Sequence, residues 1–160
     1  TNHVMGLGLI HSTTYADTEA KKASRMKVAE FLEEYGTLKY LETATANLFS
    51  NKFKEEHPGA IQTVIDSASD ISKEAMMQFV FAMRNRRAHI HMLTQKRIPV
   101  WMIVGKEDIA VPFEDSQAQI ELLPPKNVLI LEQVGHMGML EATDQVNQAM
   151  HQFIQEAITK

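Results

Sequence analysis

The sequence contains no cysteine, so disulfide bonds and thiolate chemistry are excluded. It also lacks an apolar run approaching the roughly 20 residues that a membrane-spanning helix needs. Positive charge is not in excess, since 16 Lys and Arg face 20 Asp and Glu and the formal net charge is −4. Nucleic-acid binding requires a basic surface. We therefore expect neither a nucleic-acid nor a membrane partner, and a cytoplasmic location because the first residues carry no secretory leader.

Three short apolar runs predict the strands of a sheet: residues 4–10, 98–104 and 128–131. The first run is apolar on both faces, which is typical of parallel strands buried between helical layers. Gly6 and Gly8 fall on one face, where a helix could approach closely. Because helical stretches separate the runs, the pattern predicts an α/β fold with three parallel strands.

Residues 16–97 predict several helices instead of one simple crossover. Asp17 can cap the first and Gly36 can end it, Pro58 suits the first turn of another, and Ser72 can cap a further one. The apolar positions expected to face inward include Leu38, Leu41, Leu48, Ile61, Val64, Ile65, Met76, Met77, Phe79, Val80, Phe81 and Met83. As an alternative, a few of these methionines and phenylalanines face a substrate. An excursion this long exceeds what a crossover needs. We therefore predict a helical cap at 16–97 and a core formed by residues 1–15 and 98–160.

The remaining helices are predicted nearer the end of the chain. Residues 112–123 form one, stopped by Pro124 and Pro125. Apolar positions at helical spacing after Glu141 predict an amphipathic last helix, and Glu141 is expected to begin it because the helix dipole favours an acid there.

Two residues with ionisable side chains suited to acid–base chemistry follow neighbouring predicted strands. Asp108 lies in the segment after the second strand, and His136 lies in the segment after the third. Parallel strands present their carboxyl ends at the same edge of a sheet. A carboxylate bonded to one ring nitrogen of a histidine fixes its tautomer and leaves the other nitrogen free to take a proton. The pattern therefore predicts an acid–base pair.

The motifs around these two residues resemble a known family. A strand followed by G-x-x-D-x-x-x-P (Gly105–Pro112), a strand followed by G-H-x-x-x-x-E (Gly135–Glu141) and a final amphipathic helix are similar to the C-terminal part of the α/β-hydrolases. Acid before histidine is also that family's order. The stretch 15–20 looks like the enol-lactone hydrolase and esterase branch. The resemblance implies that Asp108 and His136 are catalytic and that residues 16–97 are the cap.

One part of the family's machinery is missing from the sequence. No G-x-S-x-G motif occurs, and none of the serines is flanked by glycines: Ser12, Ser24, Ser50, Ser67, Ser69, Ser72 and Ser116. The resemblance implies that nucleophile and oxyanion hole precede this stretch. We expect the intact protein to hydrolyse small carboxylic esters or lactones without cofactor or metal, and the 160-residue chain alone to be inactive. The alternative is a non-catalytic interaction module derived from the fold.

Several other residues are weaker candidates for functional roles. Asp17 lies near the position after the first strand where some α/β-hydrolases carry the acid, although the N-cap role fits it better. His11 and Ser12 end the first strand and either line the pocket or form a satisfied strand-end pair. His89 and His91 are two residues apart and would diverge on a helix, and the sequence has no carboxylate or thiolate at ligand spacing from them, so no metal site is expected there.

Two surface features complete the sequence predictions. Arg84, Arg86 and Arg87 form a solvated basic face or, as a minority alternative, contact an anionic substrate. If the chain exists alone, the strand Val4–Ile10 has an apolar edge that can pair with another chain, and self-association is expected.

Overall fold

The computed structural model of the protein describes residues 4–95 and 97–159. The predicted core includes Thr1–His3 and Lys160, and the predicted cap includes Lys96; these positions lie outside the described residues. Within the described part of the chain, no helix combines the length and apolar character that crossing a membrane requires.

The three predicted strands form one parallel sheet. They are β1 (Leu7–Ile10), β2 (Val100–Gly105) and β3 (Val128–Leu131), in the order β1-β2-β3. β1 is shorter than predicted, and the side chains of Val4 and Met5 are exposed. Leu7 donates its N–H to the Pro99 carbonyl at 2.9 Å, and Pro99 has no N–H with which to continue the ladder. The α/β fold with three parallel strands is confirmed.

Helices make up most of the long excursion between β1 and β2 and also follow β2 and β3 along the chain. The helices are α1 (Glu19–Ala44), α2 (Asn51–Glu56), α3 (Pro58–Ala68), α4 (Lys73–Asn85), α5 (His91–Thr94), α6 (Phe113–Ile120), α7 (Gly138–Glu141) and α8 (Thr143–Ile158). Short 3-10 turns cover Thr45–Leu48 and Pro125–Asn127. Gly36 has a φ of +78° and kinks α1 where the sequence predicts a helix end.

The central strand β2 buries both of its faces, which is typical of a parallel strand between helical layers. Trp101 and Ile103 pack with residues of α8, including Val146. Val100, Met102 and Val104 point the other way and pack with Leu93 and Leu123. On the α8 side, Gly6 and Gly8 lie against Phe153, so the predicted close approach of a helix is confirmed. This alternation gives the sheet two apolar layers.

The chain divides into two compact units. One contains residues 4–14, 48–53 and 90–159 apart from Lys96, and the other contains residues 15–47 and 54–89. The sheet and the segments that follow its strands belong to the first. The assignment of 16–97 as a functional cap stays a prediction.

The second unit has its core where α1 packs against α4, and it corrects three predictions. Asp17 does not cap α1, because Arg25 (3.1 Å) and Arg86 (2.7 Å) occupy its carboxylate; the Thr18 hydroxyl accepts from the Lys21 N–H instead. Arg86 is therefore paired and is not only a solvated charge. The predicted inward positions Leu38 and Phe79 are exposed, whereas Leu41, Ile65 and Val80 are buried as predicted. The buried residues of the cluster between α1 and α4 are Ala29, Leu32 and Val80.

A buried glutamine on α6 holds the loop that follows β1. Gln119 is 0% exposed, and its Oε1 accepts from the Thr14 N–H at 2.8 Å and from the Thr14 hydroxyl at 2.7 Å. Its Nε2 donates to the Thr13 hydroxyl at 3.0 Å. These bonds satisfy buried polar groups that would otherwise be desolvated without a partner. The path of the chain after His11 is thereby fixed.

Replacing Gln119 should therefore destabilise the protein. In the natural gene product, Gln119→Leu leaves the Thr14 N–H buried without a partner, and we expect the free energy of unfolding to fall by about 1–3 kcal/mol. Urea unfolding followed by circular dichroism measures the change. The matched control is Gln117→Leu on the exposed face of the same helix, and equal effects of the two changes would contradict the role of the buried amide.

Candidate active site

Two loops meet at the carboxyl edge of the sheet, one after β2 and one after β3. The Lys106 N–H donates to the Leu131 carbonyl at 3.0 Å, and the Glu107 N–H donates to the Val134 carbonyl at 2.9 Å. Gly105 permits this approach, since a methyl group there would overlap the carbonyl oxygens of Val134 and Gly135. The glycine of the G-x-x-D motif is thus required by backbone contact between the loops.

Asp108 lies in the first loop with its carboxylate almost fully enclosed. Its Oδ1 accepts from the backbone N–H groups of Ala110 at 2.9 Å and Val111 at 2.8 Å. Its Oδ2 faces Nδ1 of His136 at 2.9 Å and Nδ1 of His11 at 3.4 Å. The residue is 4% exposed. Both oxygens therefore have protein donors, which a buried carboxylate needs.

These contacts decide the ionisation of Asp108. Burial alone raises the pKa of the carboxyl, because desolvation disfavours the charged form. Hydrogen bonds from His11 and His136 and from the Val111 N–H outweigh burial and hold the pKa well below its ordinary value. Asp108 is therefore an anion at neutral pH and can orient a histidine.

His136 lies in the turn after β3 and is held at both its backbone and its ring. Its N–H donates to the Leu48 carbonyl at 2.7 Å, and its ring Nδ1 faces Asp108. The side chain is 29% exposed. Because Asp108 is ionised, Nδ1 carries the proton, and Nε2 is the basic atom. Within the described residues Nε2 has no hydrogen-bond partner, so it is available as a base.

Glu141 fastens the histidine turn. Its carboxylate accepts from the backbone N–H groups of Gly135 at 3.0 Å and Met137 at 3.2 Å, on either side of His136. It also accepts from the Ser50 N–H at 2.9 Å. Glu141 ends α7 and does not begin the last helix, so the dipole-based prediction is wrong; the carboxylate satisfies turn amides instead.

A short segment from the long helical excursion packs on this turn. A Cβ on Gly135 would lie 2.7 Å from the Leu48 carbonyl oxygen and 2.8 Å from the Ser50 nitrogen, so only glycine leaves room. The glycine of the G-H motif thus admits the segment Leu48–Phe53 to within hydrogen-bond distance. Nothing in the spacing of the sequence indicated this contact.

The sequence allows His11 either to line the pocket or to form a satisfied strand-end pair, and the structure places it beside the acid. His11 is 3% exposed, and its Nδ1 lies 3.4 Å from Asp108 Oδ2. Its ring and that of His136 are 6.0 Å apart and edge to face. The strand-end position was the available signal, but the contact depends on backbone geometry that spacing does not reveal.

These three side chains are also the cluster within residues 4–95 and 97–159 that could hold a metal ion. Their ligand atoms lie within 4.8 Å of one another. However, both ring Nδ1 atoms face the same carboxylate oxygen at hydrogen-bond distance, so a cation would have to displace two donated protons. The hydrogen bonds among these side chains account for both Nδ1 atoms without a cation, and the absence of a metal stays a prediction.

Comparison with known families identifies the chain. The model of the Ndr family matches residues 1–157. The chain belongs to the Ndr family. The similarity spans the sheet, the helical excursion and the last helix, so the Ndr-family match includes both Asp108 and His136.

Individual relatives of this Ndr-family chain are more distant. A protein of Acinetobacter baylyi named RutD, whose name marks it as a candidate carbamate hydrolase, is 25% identical over 157 residues, covering 96% of this chain and 59% of that protein. An esterase from Thermogutta terrifontis superposes with a TM-score of 0.84 at 22% identity, covering 96% of this chain and 56% of the esterase. The enol-lactonase from Burkholderia xenovorans LB400 superposes with a TM-score of 0.77 at 14% identity, covering 94% of this chain and 56% of the enol-lactonase.

These comparisons confirm the predicted likeness to the C-terminal part of the α/β-hydrolases. At these identities, the solved structures establish the fold. The chain spans a little more than half the length of RutD and of the two enzymes. The structure brings Asp108 and His136 into contact, and their catalytic role stays a prediction.

Replacing Glu141 should loosen the histidine turn. Glu141→Gln exchanges an acceptor oxygen for an N–H₂ group that faces backbone donors, and we expect the free energy of unfolding to fall by about 2–3 kcal/mol. Chemical unfolding of the natural gene product measures it. The control is Glu132→Gln, which alters an exposed carboxylate paired with Lys106. A Glu141 variant as stable as this control would contradict the described role.

Asp108 should also make stability depend on pH. Its pKa is lowered on folding, so its ionised form stabilises the folded protein fully above the ordinary value of 3.8 and less as the pH falls through the lowered value. We expect Asp108→Asn to be less stable than wild type at neutral pH, with the gap narrowing as the pH falls below the ordinary value of 3.8 towards the lowered pKa. Unfolding at each pH measures this, with exposed Asp70→Asn as control. A gap that stays constant would contradict the assignment.

Proposed function

We propose that Asp108 and His136 are the acid and base of a serine-type hydrolase whose nucleophile lies outside these 160 residues. The observation that carries the proposal is the contact between Asp108 Oδ2 and His136 Nδ1 at 2.9 Å, with Nε2 left available on a partly exposed ring. An acid that fixes the tautomer and a base with one free nitrogen are two parts of a nucleophilic triad.

The proposed chemistry assigns one proton path to His136. A serine hydroxyl attacks the ester carbonyl while Nε2 takes its proton, and the resulting imidazolium is stabilised by ionised Asp108. Nε2 then gives the proton to the leaving alkoxide as the ester bond breaks. In the second half, Nε2 removes a proton from water and the hydroxide attacks the acyl carbon. The bond between that carbon and the serine oxygen then breaks, the carboxylic acid leaves, and Nε2 returns the proton to the serine oxygen.

The substrate class follows from the kinds of protein that share the fold. The similar solved structures include an esterase and an enol-lactonase, and RutD carries the name of a candidate carbamate hydrolase. All three names describe attack on an acyl carbon that bears a heteroatom leaving group. Small carboxylic esters or lactones are therefore the proposed substrates, and residues 16–97 are proposed to shape the pocket.

Hydrolysis assays on the natural gene product test the proposal. Short-chain p-nitrophenyl esters and simple lactones are offered to the wild type, Asp108→Asn and His136→Ala. We expect kcat to fall by about 10³-fold or more in either variant, because members of such a unit do not act alone. His151→Ala, a change at an exposed histidine of α8, is the control and should keep wild-type kcat.

The alternative function predicts different results in these hydrolysis assays. The sequence without a G-x-S-x-G motif also suits a non-catalytic interaction module. In that case the wild type hydrolyses none of the substrates, or its rate is the same with and without His136. Either result would refute the hydrolase proposal for this protein.

A further inference from the structure

Several backbone and side-chain contacts fix the position of His11. It follows β1 directly, with a φ of +45°, a conformation that residues other than glycine rarely adopt. Its N–H donates to the Ile103 carbonyl at 2.8 Å, which extends the β1–β2 ladder by one bond. Shortly after it, Gln119 fixes Thr13 and Thr14. Unusual backbone geometry that the surroundings hold in place is a mark of functional positions.

The surroundings of the ring decide its tautomer. His11 Nε2 is buried without a hydrogen-bond partner among the described residues, and a methyl group on Gly138 would overlap it. Nδ1 faces the anionic Oδ2 of Asp108 at 3.4 Å. A proton on Nδ1 can be donated to the carboxylate, whereas a proton on Nε2 would be buried against Gly138 with no acceptor. The proton therefore lies on Nδ1.

We propose that His11 is a positioning residue, which donates its Nδ1 proton to Asp108 Oδ2 and holds the acid in the place from which it orients His136. This inference rests on the proposed hydrolase function. The two amide donors to Oδ1 fix one oxygen of the carboxylate. Oδ2 has two donors, and of these only His136 is proposed to change its protonation during the reaction.

A second hydrogen-bond donor that stays in place would stabilise Asp108 Oδ2 throughout the proposed reaction. As the His136 ring becomes an imidazolium and then neutral again, the strength of its bond to Oδ2 changes. His11, which is 3% exposed, excludes water from that oxygen and keeps a donor on it throughout the cycle. Electrostatic stabilisation by groups that need no reorganisation is the most effective kind in an active site.

Two variants of nearly the same shape separate the donated proton from the volume of the side chain. Asparagine can place its amide nitrogen where His11 has Nδ1, two bonds from Cβ, whereas leucine places a methyl group there. In the natural gene product, we expect His11→Leu to lower kcat about ten-fold with KM within about two-fold of wild type. His11→Asn should recover most of that loss.

A structural role alone would give another pattern. If both variants lowered kcat equally in proportion to lost stability, or if His11→Leu kept wild-type kcat, the proposal would be overturned. Urea unfolding of both variants provides the stability comparison. A wild type without any esterase or lactonase activity would instead refute the proposed function, and the test of the His11 bond would then come from spectroscopy.

Long-range ¹H–¹⁵N NMR of the histidine rings gives that second readout without activity. We expect the wild type to show His11 as the Nδ1–H tautomer, and Asp108→Asn to alter the His11 ring signals because the acceptor has changed. An Nε2–H tautomer for His11 in the wild type, or ring signals indifferent to Asp108→Asn, would overturn the proposal whether or not the protein is a hydrolase.

Discussion

The carboxylate of Asp108 is the interaction on which the candidate site depends. It gathers donors from its own loop and from the segments after β1 and β3. Burying a charge is costly unless it is paired and hydrogen-bonded, and here each oxygen has two donors. The parallel sheet makes this possible, because it brings the carboxyl ends of its strands to one edge.

The position of His136, the other half of the pair, depends on hydrogen bonds to the backbone of its turn. The turn that carries His136 is held by Glu141 and by the Leu48 carbonyl. Gly135 permits the second contact, because a Cβ there would overlap the backbone of Leu48–Ser50. The ring can therefore meet Asp108 without being fully buried. A partly exposed ring held by its turn and by a carboxylate is the arrangement that a general base requires.

The sequence supports the main outline of this arrangement and not its finer contacts. Uninterrupted apolar runs followed by G-x-x-D and G-H predicted three parallel strands with Asp108 and His136 at one edge, and the structure has that topology. Strand periodicity does not indicate which side chains contact the Asp108 carboxylate, so the sequence does not predict its contact with His11. Glu141 was placed by a helix-dipole argument, but its carboxylate serves amides that become neighbours only when the turn closes.

The predictions for Leu38, Phe79 and Asp17 differ from the structure for a similar reason. Leu38 and Phe79 fit an inward stripe by spacing, yet the kink at Gly36 and the packing of α1 on α4 leave them exposed. Asp17 has the chemistry of an N-cap, but two arginines from within its own unit occupy it. In each case a tertiary contact decided among roles that the local sequence allowed equally.

The central claim is that Asp108 and His136 serve a serine nucleophile outside these residues. Its most direct test is to treat the natural gene product with a fluorophosphonate probe and to locate the modified peptide by mass spectrometry. The account predicts one labelled serine that precedes Thr1, with labelling lost in His136→Ala and kept in His151→Ala. A protein that takes no label, or one labelled equally well without His136, would contradict it.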